Sequence, residues 1–233
     1  ATGGDAIPLS SDGSKEDGYT GPFHWSPDSK KLVAWRAKEV KTRQVHIVQS
    51  SPPDQLQPKL ISFDYTKPGD PIRQPKPCLF EVASRRQLPI SDSLFDNPWD
   101  ISEPAWNLDS SEFSFLYNQR GHQLMRIVGI RADSGSSRTI LEERSETFID
   151  YSQKTFLHRL PKTRELIWAS ERNGFNHLYL IDEVSGRIKN PITQGNWNVR
   201  DVVNVDEDKR ELLLKVIGIP NQDPYHAHFV RIG

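Results

Sequence analysis

Hydrophobic and polar residues alternate in short runs along most of this chain, and helical periodicity is nearly absent. Alternation with a period of two is typical of β-strands that bury one face. A short polar turn leads into such a run at four places, and these turns begin at Trp25, Trp106, Pro161 and Asp206. The pattern therefore predicts an all-β protein built from repeated copies of one unit.

Each unit divides into about four antiparallel strands. The second unit, 98–143, has alternating runs at about 100–106, 113–118, 124–131 and 138–143. The third unit, 147–194, has them at about 148–158, 165–170, 177–181 and 187–193. A repeated unit of strands cannot bury its apolar face alone, so it must stack on copies of itself. Strands with turns at short intervals favour a β-propeller, here of about four blades.

The first and fourth units depart from this pattern. The first unit, 22–92, is longer because a second β-hairpin is inserted at 44–65. A Pro-rich stretch, Lys67–Pro77, follows, and we interpret it as a connector between strands rather than as a PxxP ligand. The fourth unit, 196–233, ends one strand short of the pattern.

Residues 1–21 are predicted to hold the last strand of a preceding blade and a connector. The run Ala6–Ser10 resembles the predicted outer strands at 88–91 and 191–193. Either the chain is an arc of a larger ring, such as half of an eight-bladed propeller, or this strand completes the fourth blade and closes a small ring. The first residue is Ala rather than Met, which favours a processed product or a segment of a longer protein.

Composition narrows the possible partners. The formal net charge is −1, with 30 basic and 31 acidic residues well mixed, so we expect no nucleic-acid partner. No run approaches the ~20 apolar residues of a membrane span, so we expect no membrane contact by this segment. Cys78 is the only cysteine, which excludes a disulfide within the chain, and we expect a buried, inert thiol. Cytoplasmic, periplasmic and secreted locations all stay open.

Some polar residues have a structural explanation in the sequence itself. Asp28 and Asp109 are expected to bond the amides of their own turns, and Asn173-Gly174 is a strong hairpin signal. His226 and His228 are two positions apart and would share one face of a strand, but no third metal ligand is evident. We expect no metal, no cofactor and no catalytic residue. The full set of structural turn residues is Trp25, Pro27, Asp28, Trp106, Asp109, Asn173 and Gly174.

Several motifs together resemble the N-terminal propeller domain of the prolyl oligopeptidase family of serine peptidases, in particular its dipeptidyl-peptidase IV-like branch. The resemblance covers nearly the whole chain. The matching segments are Trp25–Leu32, Lys67–Pro71, Tyr117–Gln123, Phe148–Ser152, Ala169–Leu180, Gly195–Arg200, Asp206-Glu207 and Asp223–Tyr225.

The resemblance implies a non-catalytic role. In that family the propeller covers an α/β-hydrolase domain that follows it in the chain and carries the Ser-Asp-His residues. The propeller restricts access to that site and helps to bind the N-terminal end of the peptide. This sequence has no Gly-x-Ser-x-Gly motif, so we expect the hydrolase domain to be absent from it and to be a partner in cis if the native chain is longer.

One departure from the family concerns specificity. Members that release dipeptides carry an acidic pair just before the Trp-Ser-Pro-Asp turn, where it binds the substrate's amino group. Here Glu16-Asp17 are adjacent acids, but their context does not match that motif. We therefore do not assign them this role, and we expect no strict dipeptidyl-peptidase specificity.

A polar rim is predicted where the loops between second and third strands meet. It would contact a hydrolase domain or a peptide carboxylate, and the alternative is a set of solvated hairpin tips with weak ion pairs. The predicted rim residues are Arg120, His122, Glu171, Arg172 and His177.

These observations leave two main hypotheses. The first is the propeller portion of a serine peptidase that hydrolyses prolyl-type peptides, with the peptide substrate and a homodimer as further partners. The second is a stand-alone propeller that acts as a protein-interaction scaffold after loss of the hydrolase domain. A third hypothesis, an unassisted peptidase, lacks an evident Ser-His-Asp arrangement.

Overall fold

A computed structural model describes residues 6–233, and within them every regular element is a β-strand. Runs rich in Val, Ile, Leu, Phe and Trp form the central strands, which are bounded by Gly, Asp, Asn and Ser turns. The strands are β1 (Asp17–Trp25), β2 (Lys31–Lys38), β3 (Gln44–Gln49), β4 (Lys59–Asp64), β5 (Lys76–Glu81), β6 (Arg86–Leu88), β7 (Pro98–Trp106), β8 (Glu112–Gln119), β9 (Leu124–Arg131), β10 (Ser137–Arg144), β11 (Leu157–Leu160), β12 (Glu165–Ser170), β13 (His177–Asp182), β14 (Ile188–Pro191), β15 (Asn198–Asp206), β16 (Glu211–Ile217) and β17 (His228–Ile232).

The prediction of an all-β propeller is confirmed. Four antiparallel sheets follow one another in chain order, and each is a simple meander apart from one insertion. The first sheet is β1-β2-β5-β6, the second β7-β8-β9-β10, the third β11-β12-β13-β14 and the fourth β15-β16-β17. Strands β3 and β4 form a separate two-stranded hairpin between β2 and β5, with Gln44 opposite Asp64 and Gln49 opposite Lys59.

Consecutive sheets are joined by apolar cores. Between the first and second sheets, Trp35 and Leu79 pack against Phe113 and Phe115. A second core joins the second and third sheets, and it includes Ile127 and Trp168, which are both at most 1% exposed. A third core joins β12 and β13 to β15 and β16. Each sheet therefore buries an apolar face against the next sheet along the chain, which is the packing that stabilises a propeller.

Polar bonds also cross these junctions. Arg138 on β10 donates two hydrogen bonds to the Glu112 carboxylate, at 2.7 and 2.8 Å, and a third at 2.9 Å to the carbonyl of Val184 in the third sheet. Arg210, between β15 and β16, donates to Glu165 Oε2 on β12 at 2.9 Å. A buried carboxylate held by two or more donors is strongly oriented. Glu112 therefore holds Arg138 within the second sheet in position for its bond to Val184, whereas the Arg210–Glu165 pair itself joins the fourth sheet to the third.

The alternative in which the N-terminal segment completes the fourth blade is wrong, because residues 6–10 pair with no strand of the described sheets. A last strand of a preceding blade stays a prediction. Residues 6–10 form no strand, and residues 1–5 of the predicted connector lie outside the described residues. Pro8 has no N–H to donate to a ladder, and Leu9 packs instead on an apolar face of the first sheet, against a cluster that includes Leu32 and Phe80. The fourth sheet therefore receives no fourth strand from residues 6–10. The first sheet itself begins at Asp17, earlier than the predicted start at 22.

Some outer and inner strands are displaced from their predicted positions. The outer strands predicted at 88–91 and 191–193 lie at Arg86–Leu88 and Ile188–Pro191. The strand predicted over 148–158 shrinks to Leu157–Leu160, because residues 148–156 form turns that pack against the second sheet. In addition, no helix within residues 6–233 is long and apolar enough to cross a membrane.

The junction cores generate a direct prediction. Phe115 is fully buried between the first and second sheets, and its ring lies 5.2 Å from that of Phe95. Phe115→Ala should lower the free energy of unfolding by about 3–5 kcal/mol, because the cavity cannot be refilled. The control, Phe63→Ala on the exposed hairpin, should change it by less than about 0.5 kcal/mol. Urea unfolding of both variants checks this, and equal losses would contradict the assigned core.

Candidate functional site

The loops between second and third strands lie at one end of the sheets, which we call the loop face. It consists of residues 39–75, 120–123, 171–176 and 218–227 and the connections that enter β7, β11 and β15. Neighbouring loops contact each other there. Arg120 donates to the carbonyl of Asp70 at 2.5 Å, and Asn176 donates to the carbonyl of Val199 at 2.8 Å. The loop face is therefore a continuous surface.

An aromatic cluster occupies the part of the loop face shared by the second and third sheets. The imidazole of His122 stacks on Tyr151, with ring centroids 4.2 Å apart. The rings of Trp99 and Phe148 meet His122 edge-on at 5.2 and 5.6 Å. Trp99 and Phe148 remain 40% and 52% exposed, so the cluster presents aromatic surface to the outside. Large exposed aromatic side chains on a rigid scaffold are typical of binding surfaces.

The backbone holds His122 in this cluster. Its φ is 57° in the tight turn between β8 and β9, and its carbonyl accepts a 2.7 Å hydrogen bond from the amide of Ile149. The imidazole Nδ1 lies 3.1 Å from Asn118 Oδ1. Burial lowers the pKa of His122 below its ordinary value, so the ring is neutral at pH 7.

Glu143 organises the neighbouring polar part of the loop face. Its carboxylate accepts hydrogen bonds from Ser170 Oγ at 2.7 Å, Arg172 Nη2 at 2.8 Å and Trp168 Nε1 at 3.3 Å. Arg172 also lies 4.7 Å above the ring of Tyr179. This guanidinium is therefore already paired with a carboxylate and is not an empty site for another anion.

The other predicted rim residues are also engaged within the chain. Arg120 holds Asp70 of the Pro-rich connector, so it links the first sheet's insertion to the second sheet. Glu171 forms an ion pair with Lys154, with Oε1 and Nζ 2.6 Å apart, and both side chains are 38% exposed. Exposed pairs of this kind contribute little to stability, so these charges remain available for exchange with a partner.

His177 does not belong to an exposed rim. It is fully buried, its Nε2 donates to the carbonyl of Gly195 at 2.9 Å, and its Nδ1 lies 2.9 Å from Thr193 Oγ1. The indole of Trp197 meets the imidazole edge-on at 5.0 Å. The side chain is enclosed because β13 is buried on both of its faces from His177 to Ile181, so neither orientation of its first residue would expose it.

The acidic segment before the first turn is neutralised within the chain. Arg36 contacts Asp12 and donates from Nε to Asp17 Oδ1 at 2.9 Å. Its hydrogen bond, together with one from Tyr19, holds the pKa of Asp12 below the ordinary value. Burial, followed by the bond to Asp12, raises the pKa of Tyr19 to about 12. Glu16 is exposed, and Asp17 is committed to Arg36, so the two adjacent acids do not form one site.

A cavity of about 550 Å³ opens beside this segment, against the ends of β2, β5 and β6. Apolar side chains, among them Ile72, Leu88 and Phe95, share its lining with Arg36, Lys38, Lys76 and Asp92. Cys78 also lines it but is only 7% exposed, and burial raises the pKa of its thiol to about 11. The thiol is therefore protonated at pH 7 and is a poor nucleophile.

The turn residues have mostly local partners. Asp28 Oδ1 accepts from Ser26 Oγ and from the amide of Lys30, and Asp109 Oδ1 accepts from Ser111. Asn173 accepts from the amide of Phe175, and Gly174 has a φ of 92° in an open turn. Trp106 is half-buried and bonds across to the first sheet, whereas Trp25 is 52% exposed and Pro27 is also exposed.

The described residues offer no constellation for a metal. Across residues 6–233, no group of three or more His, Cys, Asp or Glu is placed to hold an ion. His226 lies outside the strand that begins at His228, so the two imidazoles do not share a strand face. His226 instead lies 3.9 Å from Asp223.

Four residues of the loop face were not predicted from the sequence. They are Trp99, Tyr151, Glu143 and Phe148, and each comes from an element other than the loops between second and third strands. Phe148 and Tyr151 lie in a segment that alternation assigned to a strand. The sequence does show several aromatic residues near the chain connections. That pattern could have indicated an aromatic surface, but it does not reveal which rings meet.

Comparison with known proteins places these observations in a family context. Residues 19–219 match the family model described as the dipeptidyl peptidase IV (DPP IV) N-terminal region. The fold is similar to the crystal structure of Porphyromonas gingivalis dipeptidyl peptidase 4, with a TM-score of 0.69 and 20% identity over 90% of this chain. It is also similar to a protein described as a dipeptidyl aminopeptidase IV from Bacteroides ovatus, with a TM-score of 0.61 and 16% identity over 96% of this chain.

Both of these proteins are much longer. The match covers 28% of the Porphyromonas gingivalis chain and 34% of the Bacteroides ovatus chain. At these identities the similarity shows the fold.

The burial of His177 generates a stability prediction. His177→Phe should lower the free energy of unfolding by about 2–4 kcal/mol, because the Gly195 carbonyl and the Thr193 hydroxyl lose a buried hydrogen-bond partner. His226→Phe, at a side chain that is 74% exposed, is the matched control and should change it by less than about 0.5 kcal/mol. Thermal or urea unfolding measures both. If His177→Phe left the free energy of unfolding unchanged, the assignment of His177 to the core would be wrong and the predicted exposed position would stand.

Proposed function

Because this chain belongs to the family of dipeptidyl peptidase IV N-terminal regions, we propose that it is the non-catalytic propeller portion of a serine peptidase that hydrolyses prolyl-type peptides. The observation that carries the proposal is the family match over residues 19–219, together with a fold that aligns to about a third or less of two longer structures of this type. The catalytic residues would come from an α/β-hydrolase domain in the same native chain.

The loop face is the surface we assign to the hydrolase domain and the peptide. It carries the exposed aromatic rings of Trp99 and Phe148, and the exchangeable ion pair of Lys154 with Glu171. Aromatic rings supply contact area at low entropic cost, and exposed charges set orientation. The loop face would thus gate access to the active site and dock on the hydrolase domain. His122 supports the rings, while Arg120 and Arg172 brace the loops.

We further propose that the parent protein is not a strict dipeptidyl peptidase. Asp12 and Asp17 are both engaged by Arg36, so a peptide amino group would have to displace a guanidinium in order to bind there. Bidentate carboxylate pairs with Arg are stronger than pairs with a single ammonium group. The parent protein would therefore also accept peptides that have more than two residues before the cleaved bond.

An arc of a larger ring is the ring geometry that we favour. Phe23 and Trp25 lie two positions apart on β1 and are more than half exposed, so a face of the first sheet carries uncovered aromatic surface. A neighbouring blade of the same native chain would cover it, as consecutive sheets cover each other here.

The native protein provides the first test. An antibody to this segment should detect, in the source cell, a species several-fold heavier than 26.7 kDa that is labelled by a fluorophosphonate serine probe.

In that native protein, Trp99→Ala should raise KM for a prolyl peptide several-fold without changing the melting temperature. A native species at 26.7 kDa without probe labelling would support the rival function, a stand-alone interaction scaffold.

A homodimer is a second partner proposal, and the inserted hairpin supports it. Strands β3 and β4 pair only with each other, and their exposed apolar side chains include Ile47, Val48, Leu60 and Phe63. Exposed apolar surface of this kind is typical of an interface.

Sedimentation velocity tests this contact. The double variant Val48→Lys, Leu60→Lys should be monomeric at concentrations where the unmodified chain dimerises, because two buried cations would oppose the contact. Leu108→Lys, at a 63% exposed leucine in a turn at the opposite end of the sheets, is the control and should leave the dimer intact. A monomeric unmodified chain at 100 µM, chosen as roughly a hundred times a micromolar Kd, would rule the dimer out.

A further inference from the structure

One imidazole lies at the junction between the first and second sheets. His24 is on β1, and its ring centroid lies 6.0 Å from Trp35 on β2 and 5.8 Å from Phe113 on β8. Its carbonyl accepts a 3.1 Å hydrogen bond from the indole Nε1 of Trp106 on β7. His24 therefore contacts both sheets through its ring and its backbone.

The hydrogen bond to the His24 ring has a fixed direction. Trp35 Nε1 lies 3.3 Å from His24 Nε2. An indole N–H is a donor only, so His24 Nε2 must offer a lone pair. A protonated imidazole carries hydrogen on both nitrogens and has no lone pair to offer. The contact therefore exists only with the neutral ring.

The surroundings of the ring are aromatic rather than ionic. Burial lowers the pKa of His24, and no charged neighbour contributes to this shift. Within residues 6–233, none of the ionisable side chains on the surrounding strands hydrogen-bonds to the ring. Those side chains are Asp17 and Tyr19 on β1, Lys31, Arg36 and Lys38 on β2, Asp100 and Glu103 on β7, and Glu112 and Tyr117 on β8.

The other junctions are held differently. Between the second and third sheets, Arg138 bridges Glu112 and a carbonyl of the third sheet, and between the third and fourth, Arg210 binds Glu165. Hydrogen bonds from Lys189, Thr163 and Arg210 outweigh the opposing effect of burial and hold the pKa of Glu165 at about 2. Glu165 therefore keeps its charge between pH 5 and 8. At the first junction, by contrast, a contact depends on an imidazole that accepts a hydrogen bond from an indole. Between the third and fourth sheets an imidazole meets a carboxylate instead, with His158 Nε2 2.9 Å from Glu207 Oε1.

We propose that His24 is a pH-sensitive latch that holds the first sheet against the second while its ring is neutral and releases it in mild acid. Protonation would remove the acceptor of the Trp35 indole and place a charge among Trp35, Phe113 and Trp106. The first sheet also carries the Pro-rich connector, whose Asp70 carbonyl accepts a hydrogen bond from Arg120 of the second sheet, so release of the first sheet would also loosen the loop face. The proposed release of the first sheet does not depend on the presence of a peptidase domain.

The direction in which pH changes the stability follows from the linkage between proton binding and folding. The unfolded-state pKa of His is about 6.5, and the folded-state pKa of His24 lies below it, so the folded state binds fewer protons in between. The stabilisation is complete above pH 6.5 and is lost as the pH falls through the folded-state pKa. Each unit between the two values corresponds to about a tenfold change in the folding equilibrium constant.

The experiment follows the chain by NMR between pH 7.5 and 5.0. The Trp35 indole N–H should lose its hydrogen-bonded chemical shift, and its hydrogen exchange should accelerate after correction for intrinsic rates, with the midpoint at the His24 ring titration below pH 6.5. First-sheet amides should exchange faster in acid than amides of β12 and β13. No variant is required for this measurement, so folding of a mutant does not limit it.

Two variants identify the sensor. His24→Gln keeps an acceptor for the Trp35 indole but cannot be protonated, so the Trp35 response should disappear and the acid-induced fall in the folding constant should shrink by about tenfold per unit of pKa depression. His122→Gln removes another half-buried imidazole, whose Nδ1 partner is an amide oxygen, and it should leave the Trp35 response intact.

Three outcomes would overturn the latch. They are a His24 titration at or above pH 6.5, an unchanged Trp35 response in His24→Gln, or loss of that response in His122→Gln.

Discussion

The burial of each sheet's apolar face against the next sheet is the constraint on which the rest of this structure depends. A meander of three or four strands leaves apolar side chains on both of its faces, and one sheet cannot cover itself. Here Phe115, Trp168 and Leu214 lie in successive junctions and are at most 1% exposed. The loop face exists because this stacking brings loops that are far apart in the sequence to one end of the molecule.

The polar groups follow from the same stacking. Carboxylates that enter a junction are held by arginine, as Glu112 is by Arg138 and Glu165 by Arg210, since an unpaired buried charge would be strongly destabilising. The first junction is aromatic instead and contains a neutral imidazole, His24. Neighbouring junctions therefore differ in chemistry although their backbones repeat. That difference in chemistry is the basis of the pH response that we propose for His24.

The loop face supports a role in recognition rather than in bond chemistry. Its arginines are engaged within the chain, its buried histidine supports a turn, and its exposed groups are aromatic rings and weak ion pairs. Exposed aromatic rings and weak ion pairs are typical of surfaces that bind a partner, which is the role we propose for the loop face. The chemistry of a serine peptidase would have to be supplied by another domain, which agrees with the length of the two structural relatives. Fold similarity alone does not establish that activity.

The sequence by itself determined the strands, the turns and the repeat. Alternation located β8, β9, β12 and β13 within a residue or two, because these strands are buried on both faces and bounded by clear turns. It assigned His177 to an exposed rim incorrectly, and it predicted a strand at Ala6–Ser10 that pairs with none of the described sheets. Only the tertiary structure decided that Leu9 packs on the first sheet, that His177 points inward, and that Trp99, His122 and Tyr151 meet. The local pattern of hydrophobic and polar residues specifies which residues form β-strands. Contacts between segments that are distant in the sequence depend instead on how neighbouring sheets stack.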